Sequence, residues 1–211
     1  LLHGLVTVVV FCFARQLSRR AAWMVALLFA VHPLNVFSVC WLSEIKHTTS
    51  AFFFFLSCIC LLRWLRGAGG FRMVAGGLGF YLLSLLGKPA VILLPAVFLL
   101  LAVCRKRLTI RVVCYSIPLF FVGLAFGCLT VWFQFNNALL GETPLTASFV
   151  ERVIMASKSV FFYIHLVFAP WRIAIFYPRW NLTPTAWNLL VVFLFALVSF
   201  LMFLLRRVRG M

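Results

Sequence analysis

Acidic side chains are almost absent from this sequence. It contains no Asp and only three Glu, which are Glu44, Glu142 and Glu151. A Ser-His-Asp triad therefore cannot be assembled from this chain alone. General acid–base chemistry usually relies on a positioned carboxylate or histidine. Glu44 is consequently the candidate catalytic residue, and pairing with Lys46 or with a neighbouring helix end is the alternative interpretation of its role.

Motifs for metals and nucleotides are also missing. The four histidines show neither HxxxH nor HExxH spacing, and the glycine-rich stretches 67–70 and 76–79 lack the Lys-Ser/Thr of a P-loop. The seven cysteines are odd in number and lie mostly in apolar runs, which argues against a disulfide framework. We therefore expect no metal site and no cofactor, and only a divalent cation accompanying a phosphate is left open.

Apolar side chains dominate the sequence. They occupy 65% of the 211 positions, and the mean hydropathy is +1.15, whereas soluble domains are about 45–50% apolar. A membrane-spanning helix needs about 20 mainly apolar residues. Strand-like alternation over segments of about ten residues does not recur, which argues against a transmembrane barrel. The sequence therefore predicts an all-α integral membrane protein.

Basic residues outnumber acidic residues by 19 to 3, so the formal net charge is +16. Most of them form four short clusters between apolar runs, at 15–20, 63–72, 105–111 and 206–209. This spacing is typical of cytoplasmic loops rather than of a nucleic-acid surface. We therefore expect no nucleic-acid partner, and we assign these clusters to the cytoplasmic side.

Alternation of the clusters predicts the path of the chain through the membrane. The predicted crossings lie at about 1–14, 21–37, 48–64, 73–87, 89–104, 112–133 and 185–205. A single helix over 73–104 would reach about 48 Å, whereas the hydrocarbon core is about 30 Å thick. This run therefore folds into a hairpin, and Gly87-Lys88-Pro89 is its corner.

Residues 153–169 are assigned differently from the other apolar segments. If they crossed the membrane, the basic residues 206–209 would lie outside. Lys158 and His165 are seven residues apart and so share one helical face. We interpret this segment as an interfacial or re-entrant helix on the outer side of a single polytopic domain, 1–211, with seven crossings. The loops that then face outward are 32–47, 87–89 and 134–184.

Cations on the predicted outer side need a local explanation, because that side is normally poor in positive charge. They are Lys46, Lys88, Arg152, Lys158, Arg172 and Arg179. An anionic ligand would supply one, since Lys and Arg pair with phosphate. Lys88 stands out because each arm of its hairpin is only about 22–24 Å long, which would hold the ammonium below the headgroups. Snorkelling to lipid phosphates is the alternative.

One short pattern predicts close helix packing. Gly123 and Gly127 are four residues apart, with apolar residues and an Ala between them. This small-xxx-small spacing permits close approach of two membrane helices.

Motifs in a fixed order carry a resemblance to a known family. They are HP at 32–33, WLSEIK at 41–46, LGKP at 86–89, APWR at 169–172 and FYP at 176–178. Over about residues 1–205 the chain resembles the membrane domain of the tetratricopeptide-repeat transmembrane O-mannosyltransferase-like proteins and their bacterial relatives. The resemblance implies a GT-C type glycosyltransferase bundle.

The resemblance also implies a reaction and its partners. Such enzymes take a sugar from a polyprenyl-phosphate donor on the outer leaflet and pass it, with inversion, to a hydroxyl acceptor, which can be a protein. Carried onto this sequence, the lipid phosphate would contact Lys88, His32, Lys46 and Arg172. Glu44 would orient the acceptor or a metal-bound phosphate.

The sequence departs from the family pattern at three positions. Phe37, Ile45 and His47 stand where the family has Glu, Arg and Asp. The family's acidic first outer loop and its helix are expected upstream of Leu1. A non-catalytic membrane scaffold or lipid-handling protein is therefore the alternative function. We expect a bacterial inner membrane location, or the endoplasmic reticulum membrane if the source is eukaryotic.

Overall fold

A computed structural model describes residues 1–138, 148–171, 173–174, 177 and 180–209. Within these residues the regular secondary structure is helical, without strands. The chain divides into two compact units, unit 1 from Leu1 to Glu142 and unit 2 from Thr143 to Met211. The α-helices of unit 1 are α1 (Leu2–Leu17), α2 (Ala22–Val31), α3 (Val36–Cys40), α4 (Ile45–Leu65), α5 (Gly70–Gly87), α6 (Leu94–Cys104) and α7 (Ile110–Phe133). Those of unit 2 are α8 (Phe149–Phe168) and α9 (Ala186–Arg209).

The stretch 32–47 differs most from its sequence-based description as an outer loop. The helical turns Pro33–Asn35, α3 and Leu42–Glu44 lead directly into α4. Asn35 Nδ2 also donates to the carbonyl of Phe29 at 2.6 Å, which ties the turn to the end of α2. Unpaired backbone groups are costly near hydrocarbon, so short helical turns replace an open loop.

Within the described part of the chain, three helical segments are long and apolar enough to cross a membrane. They are Leu42–Leu65, Gly70–Gly87 and Ile110–Asn136. The helix pair around His32, bent by 51°, would make a fourth if it counts as one span, whereas α1 and the segment containing α6 are apolar but shorter. The described helices are thus consistent with an integral membrane protein, and the seven crossings stay a prediction.

Helix α7 has the apolar surface expected of a helix facing lipid. The side chains of Phe121, Leu124 and Trp132 are 68%, 62% and 60% exposed. Soluble monomers rarely expose contiguous apolar patches larger than a few hundred Å². The exposed face of α7 therefore supports its assignment as a membrane span.

Helices α4 and α5 form an antiparallel pair with matched polar contacts. The buried Ser50 hydroxyl donates to the carbonyl of Ser84 at 2.9 Å, and the Ser84 hydroxyl returns a bond to the carbonyl of Ser50 at 2.8 Å. Two turns further along α4, Ser57 donates to the carbonyl of Gly77 at 2.7 Å. These bonds fix the register of the pair and place the start of α4 beside the end of α5.

The core of unit 1 lies where α4, α5, α6 and α7 meet, and Tyr81 is fully buried in it. A Cβ added to Gly123 would lie 2.5 Å from the Tyr81 hydroxyl, and one added to Gly127 would lie 2.8 Å from Ile92 Cδ1. The close approach predicted from the small-xxx-small pattern is therefore confirmed.

In unit 2, α8 begins with a capping box. Ser148 and Glu151 exchange hydrogen bonds, and these bonds lower the pKa of the Glu151 carboxyl. Lys158 donates to Asn188 Oδ1 at 2.8 Å and so joins α8 to α9. The segment predicted to be interfacial or re-entrant is therefore helical, and its placement in a membrane stays a prediction.

Candidate functional site

Helices α4 and α5 bring together the two polar stretches that the sequence singled out. Helix α5 ends at Gly87, and Lys88 continues in extended conformation, with φ −157° and ψ 121°, before the turn that starts at Pro89. The hairpin corner predicted at 87–89 is confirmed. The antiparallel register then places Lys88 opposite His47, in the first turn of α4.

Glu44, His47 and Lys88 form a chain of polar contacts. His47 Nε2 lies 2.7 Å from Glu44 Oε2, and Lys88 Nζ lies 3.1 Å from His47 Nδ1 and 2.9 Å from Nε2. One tautomer of the neutral ring satisfies two of these three contacts, because Nε2–H then donates to the Glu44 carboxylate and Nδ1 accepts from the Lys88 ammonium. The imidazole thus links the carboxylate to the cation while remaining neutral.

Lys46 adds a second cation at the edge of this chain. Its Nζ lies 3.8 Å from Glu44 Oε1, and its side chain is 55% exposed. The predicted pairing of Glu44 with Lys46 is therefore present. An exposed ion pair contributes little to stability. Lys46 can therefore leave Glu44 and pair with an anionic ligand at a small cost in free energy.

Partial burial makes Lys88 a cation short of compensation. Burial lowers the pKa of the Lys88 ammonium from its ordinary 10.5; Glu44 opposes this shift and Lys46 adds to it. The neutral His47 ring is its hydrogen-bond acceptor rather than an anion. An anionic ligand would therefore gain a strong, partly desolvated partner here.

Lys88 and His47 line one cleft of about 420 Å³. The remainder of its wall is mainly apolar and consists of Ser50, Ala51, Phe54, Ala90, Val91, Leu93, Leu94 and Val97. A cleft with a cation at one end and an apolar wall along the rest suits an amphiphile with an anionic head.

Other predicted site residues are not part of the wall of this cleft. Glu44 and Lys46 lie beside His47 but do not line the cleft. His32 does not line this cleft, and its Nδ1 accepts a bond from the backbone of Leu34 at 3.3 Å, at the start of the Pro33–Asn35 turn. Arg172 lies outside the described residues. His32 and Arg172 remain sequence-based predictions as ligands of the phosphate.

Sequence reasoning did not choose His47 as a site residue. The signal was present, since His47 follows Glu44 by three residues and the helical period places such residues on one face. His47 was not chosen because residues 32–47 were assigned to a loop, and in a loop a three-residue spacing does not place two side chains on one face.

Among the residues that the structure describes, no three His, Cys, Asp or Glu side chains come together as metal ligands. Comparisons with family models, with curated proteins and with solved structures found no match.

Proposed function

We propose that this chain is a GT-C type, glycosyltransferase-like membrane protein that binds a polyprenyl-phosphate-linked sugar on the outer leaflet. The observation that carries the proposal is the position of Lys88 Nζ, within 3.1 Å of the His47 ring at one end of a mainly apolar cleft. The phosphate pairs with Lys88, and the first isoprene units lie along the apolar wall formed by α4 and the turn before α6.

In the proposed reaction, the sugar passes from the bound donor to a hydroxyl acceptor. The acceptor oxygen attacks the anomeric carbon, the bond from that carbon to the phosphate oxygen breaks, and the lipid phosphate leaves with the electron pair. Lys88 and Lys46 stabilise the negative charge of this leaving group. Glu44 orients the acceptor hydroxyl and takes its proton as the acceptor oxygen attacks. His32 and Arg172 complete the phosphate contacts in this proposal.

The membrane arrangement follows from the same proposal. Seven crossings and one interfacial or re-entrant helix place the Lys88 end on the outer side, and the basic clusters lie in the cytoplasm. The location is a bacterial inner membrane, or the endoplasmic reticulum membrane in a eukaryote. Membrane lipids and a hydroxyl-bearing acceptor, which includes proteins, are the expected partners.

One observation favours a second function without catalysis. Glu44 already accepts a bond from His47 at 2.7 Å and lies 3.8 Å from Lys46. A carboxylate held in this way positions the imidazole instead of activating an acceptor. The chain would then bind or present a lipid phosphate without transferring a sugar.

Binding of a labelled polyprenyl phosphate to the full chain in nanodiscs tests the shared step. We expect saturable binding that Lys88→Gln weakens about tenfold or more, equivalent to about 1.4 kcal/mol, because the phosphate loses its cation. The matched control is Arg72→Gln, which removes one charge from an exposed position at the start of α5. Binding should change less than about twofold in this control.

Binding and transfer measurements together distinguish three cases, which are no donor site, an enzyme and a lipid-handling protein. Absence of saturable binding, or equal loss in Lys88→Gln and Arg72→Gln, overturns the donor site. If binding holds, a transfer assay with a polyprenyl-phosphate sugar and Glu44→Gln decides between the enzyme and the lipid-handling protein. Transfer that Glu44→Gln abolishes without weakening donor binding supports catalysis.

A further inference from the structure

Three arginines line one cavity at the end of α4 far from Lys88. Arg66 follows α4, and Arg105 and Arg107 lie in the connection from α6 to α7. Together with Leu62 and Leu65 they line a cavity of about 490 Å³. The apolar part of the cavity wall belongs to the packed core, because Leu62 and Leu65 are only 1% and 8% exposed.

Backbone carbonyls at the ends of two helices hold these guanidinium groups in place. Arg66 and Arg105 each donate from Nη2 to the carbonyl of Gln16, the latter at 2.8 Å. Arg107 Nη1 donates to the carbonyl of Leu65 at 3.0 Å. A guanidinium has five N–H donors, and these bonds use one nitrogen of each. Donors therefore remain for a ligand in the cavity.

The charges around this cavity do not balance. The carboxyl-terminal ends of α1, α4 and α6 each supply about −0.5 of an elementary charge, which leaves about +1.5 from the three arginines. Glu44 lies at the other end of α4, about 31 Å away along its 21 residues. Burial, together with the charges of Arg105 and Arg107, lowers the pKa of the Arg66 guanidinium. A ligand with between one and two negative charges would compensate this site.

We propose that Arg66, Arg105 and Arg107 bind a phosphate group, carried either by a lipid headgroup or by a soluble phosphate compound. Phosphate oxygens match the fork of a guanidinium, and a phosphate monoester carries about −1.5 to −2 charges at neutral pH. A topology signal alone requires only that basic residues lie on the cytoplasmic side, and it does not require them to share a cavity. Arg63, exposed in the last turn of α4 and outside the cavity, is an example. This site is separate from the cleft at Lys88, so either can fail alone.

The first test is a calorimetric titration of inorganic phosphate into the full chain in phosphatidylcholine nanodiscs at constant ionic strength. We expect saturable binding that Arg107→Gln weakens about fivefold or more, because a charged hydrogen bond is lost at a partly exposed position. Arg63→Gln is the matched control and should change binding less than about twofold. Arg107→Lys keeps the charge but loses the fork, and it should fall between the two. Thermal unfolding of each variant verifies that it is folded.

A second arm identifies the source of the phosphate. Part of the phosphatidylcholine is replaced by phosphatidic acid, and retained lipid is measured by native mass spectrometry. Suppressed binding of free phosphate, with less phosphatidic acid retained on Arg107→Gln, identifies a lipid headgroup. Unchanged binding of free phosphate identifies a soluble compound. Absence of saturable phosphate binding together with no preferential lipid retention overturns the proposal, as does equal loss in Arg63→Gln.

Discussion

At the residue scale, the Lys88 ammonium is the cation of the cleft that α4 forms with the turn before α6 and the start of α6. Lys88 is partly buried and donates to an imidazole, while the nearest carboxylate, Glu44, is shared between His47 and Lys46. The charge of the partly buried Lys88 ammonium destabilises the folded state, and the direction of its pKa shift sets the pH dependence of this destabilisation. Because its pKa is lowered on folding, the penalty is present at pH values below that lowered pKa and is relieved as pH rises from it toward 10.5.

Phosphate binding should have the opposite pH dependence. Affinity for a polyprenyl phosphate should fall as pH rises through the lowered pKa of Lys88, below 10.5, because the ammonium loses its charge. Lys88→Arg keeps its charge over this range, so its affinity should stay level. Titrations from about pH 7.5 upward isolate the lysine, since the second phosphate pKa is about 6. A parallel decline in both proteins would contradict this assignment.

At the element scale, the register of α4 against α5 sets the position of Lys88 relative to His47 in the cleft. Gly87 permits this register, because an added Cβ there would lie 3.1 Å from Ser50 Cβ and 3.2 Å from the Lys46 carbonyl oxygen. These are the residues around His47. Any outward shift of α5 at this point would also separate Lys88 from the imidazole.

Gly87→Ala should therefore destabilise unit 1 and weaken phosphate binding together. Overpacking of a tight contact costs about 1–3 kcal/mol. Gly79→Ala, in the same helix, is the control, because an added Cβ there meets nothing within 4 Å. It should be neutral or stabilising, since Ala is the better helix former. Unfolding in detergent measures stability, and equal effects of the two substitutions would show that the contact at Gly87 is unimportant.

At the scale of the whole molecule, the cleft at Lys88 and the arginine cavity should open on opposite faces of the membrane. Helix α4 is about 31 Å long, close to the thickness of the hydrocarbon core at about 30 Å. The positions just before and just after it, Ser43 and Ala68, are both exposed. They therefore report on the two faces.

Cysteine labelling in a background without native cysteines tests this arrangement. Ser43→Cys should react with an impermeant maleimide in intact cells, and Ala68→Cys only after permeabilisation, because basic clusters stay inside. Reaction of both variants from the same side would contradict a spanning α4. As a control for thiol reactivity, both variants should be labelled fully by the maleimide after solubilisation in detergent.

The apolar runs, and the basic, Gly and Pro residues between them, predicted the helices of this chain closely. A continuous apolar segment in a membrane must pair its backbone groups internally, and a helix does this. The hairpin over 73–104 followed from length, since one helix would exceed the bilayer, and its corner at Lys88 followed from the flanking Gly87 and Pro89. The role of His47 could not be predicted in the same way. It depends on where α4 begins, and the turns between 32 and 44 make that boundary ambiguous in sequence.

The sequence by itself determined that the chain is helical and apolar, and that Lys88 lies at a helix break. Only the tertiary structure decided which groups meet. Lys88 and His47 are 41 residues apart, and Arg66 and Arg105 bond to the same carbonyl from positions 39 apart. The physical reason is that periodicity fixes the face of each helix, whereas side-chain packing such as that at Ser50, Ser84 and Gly87 fixes the register between helices.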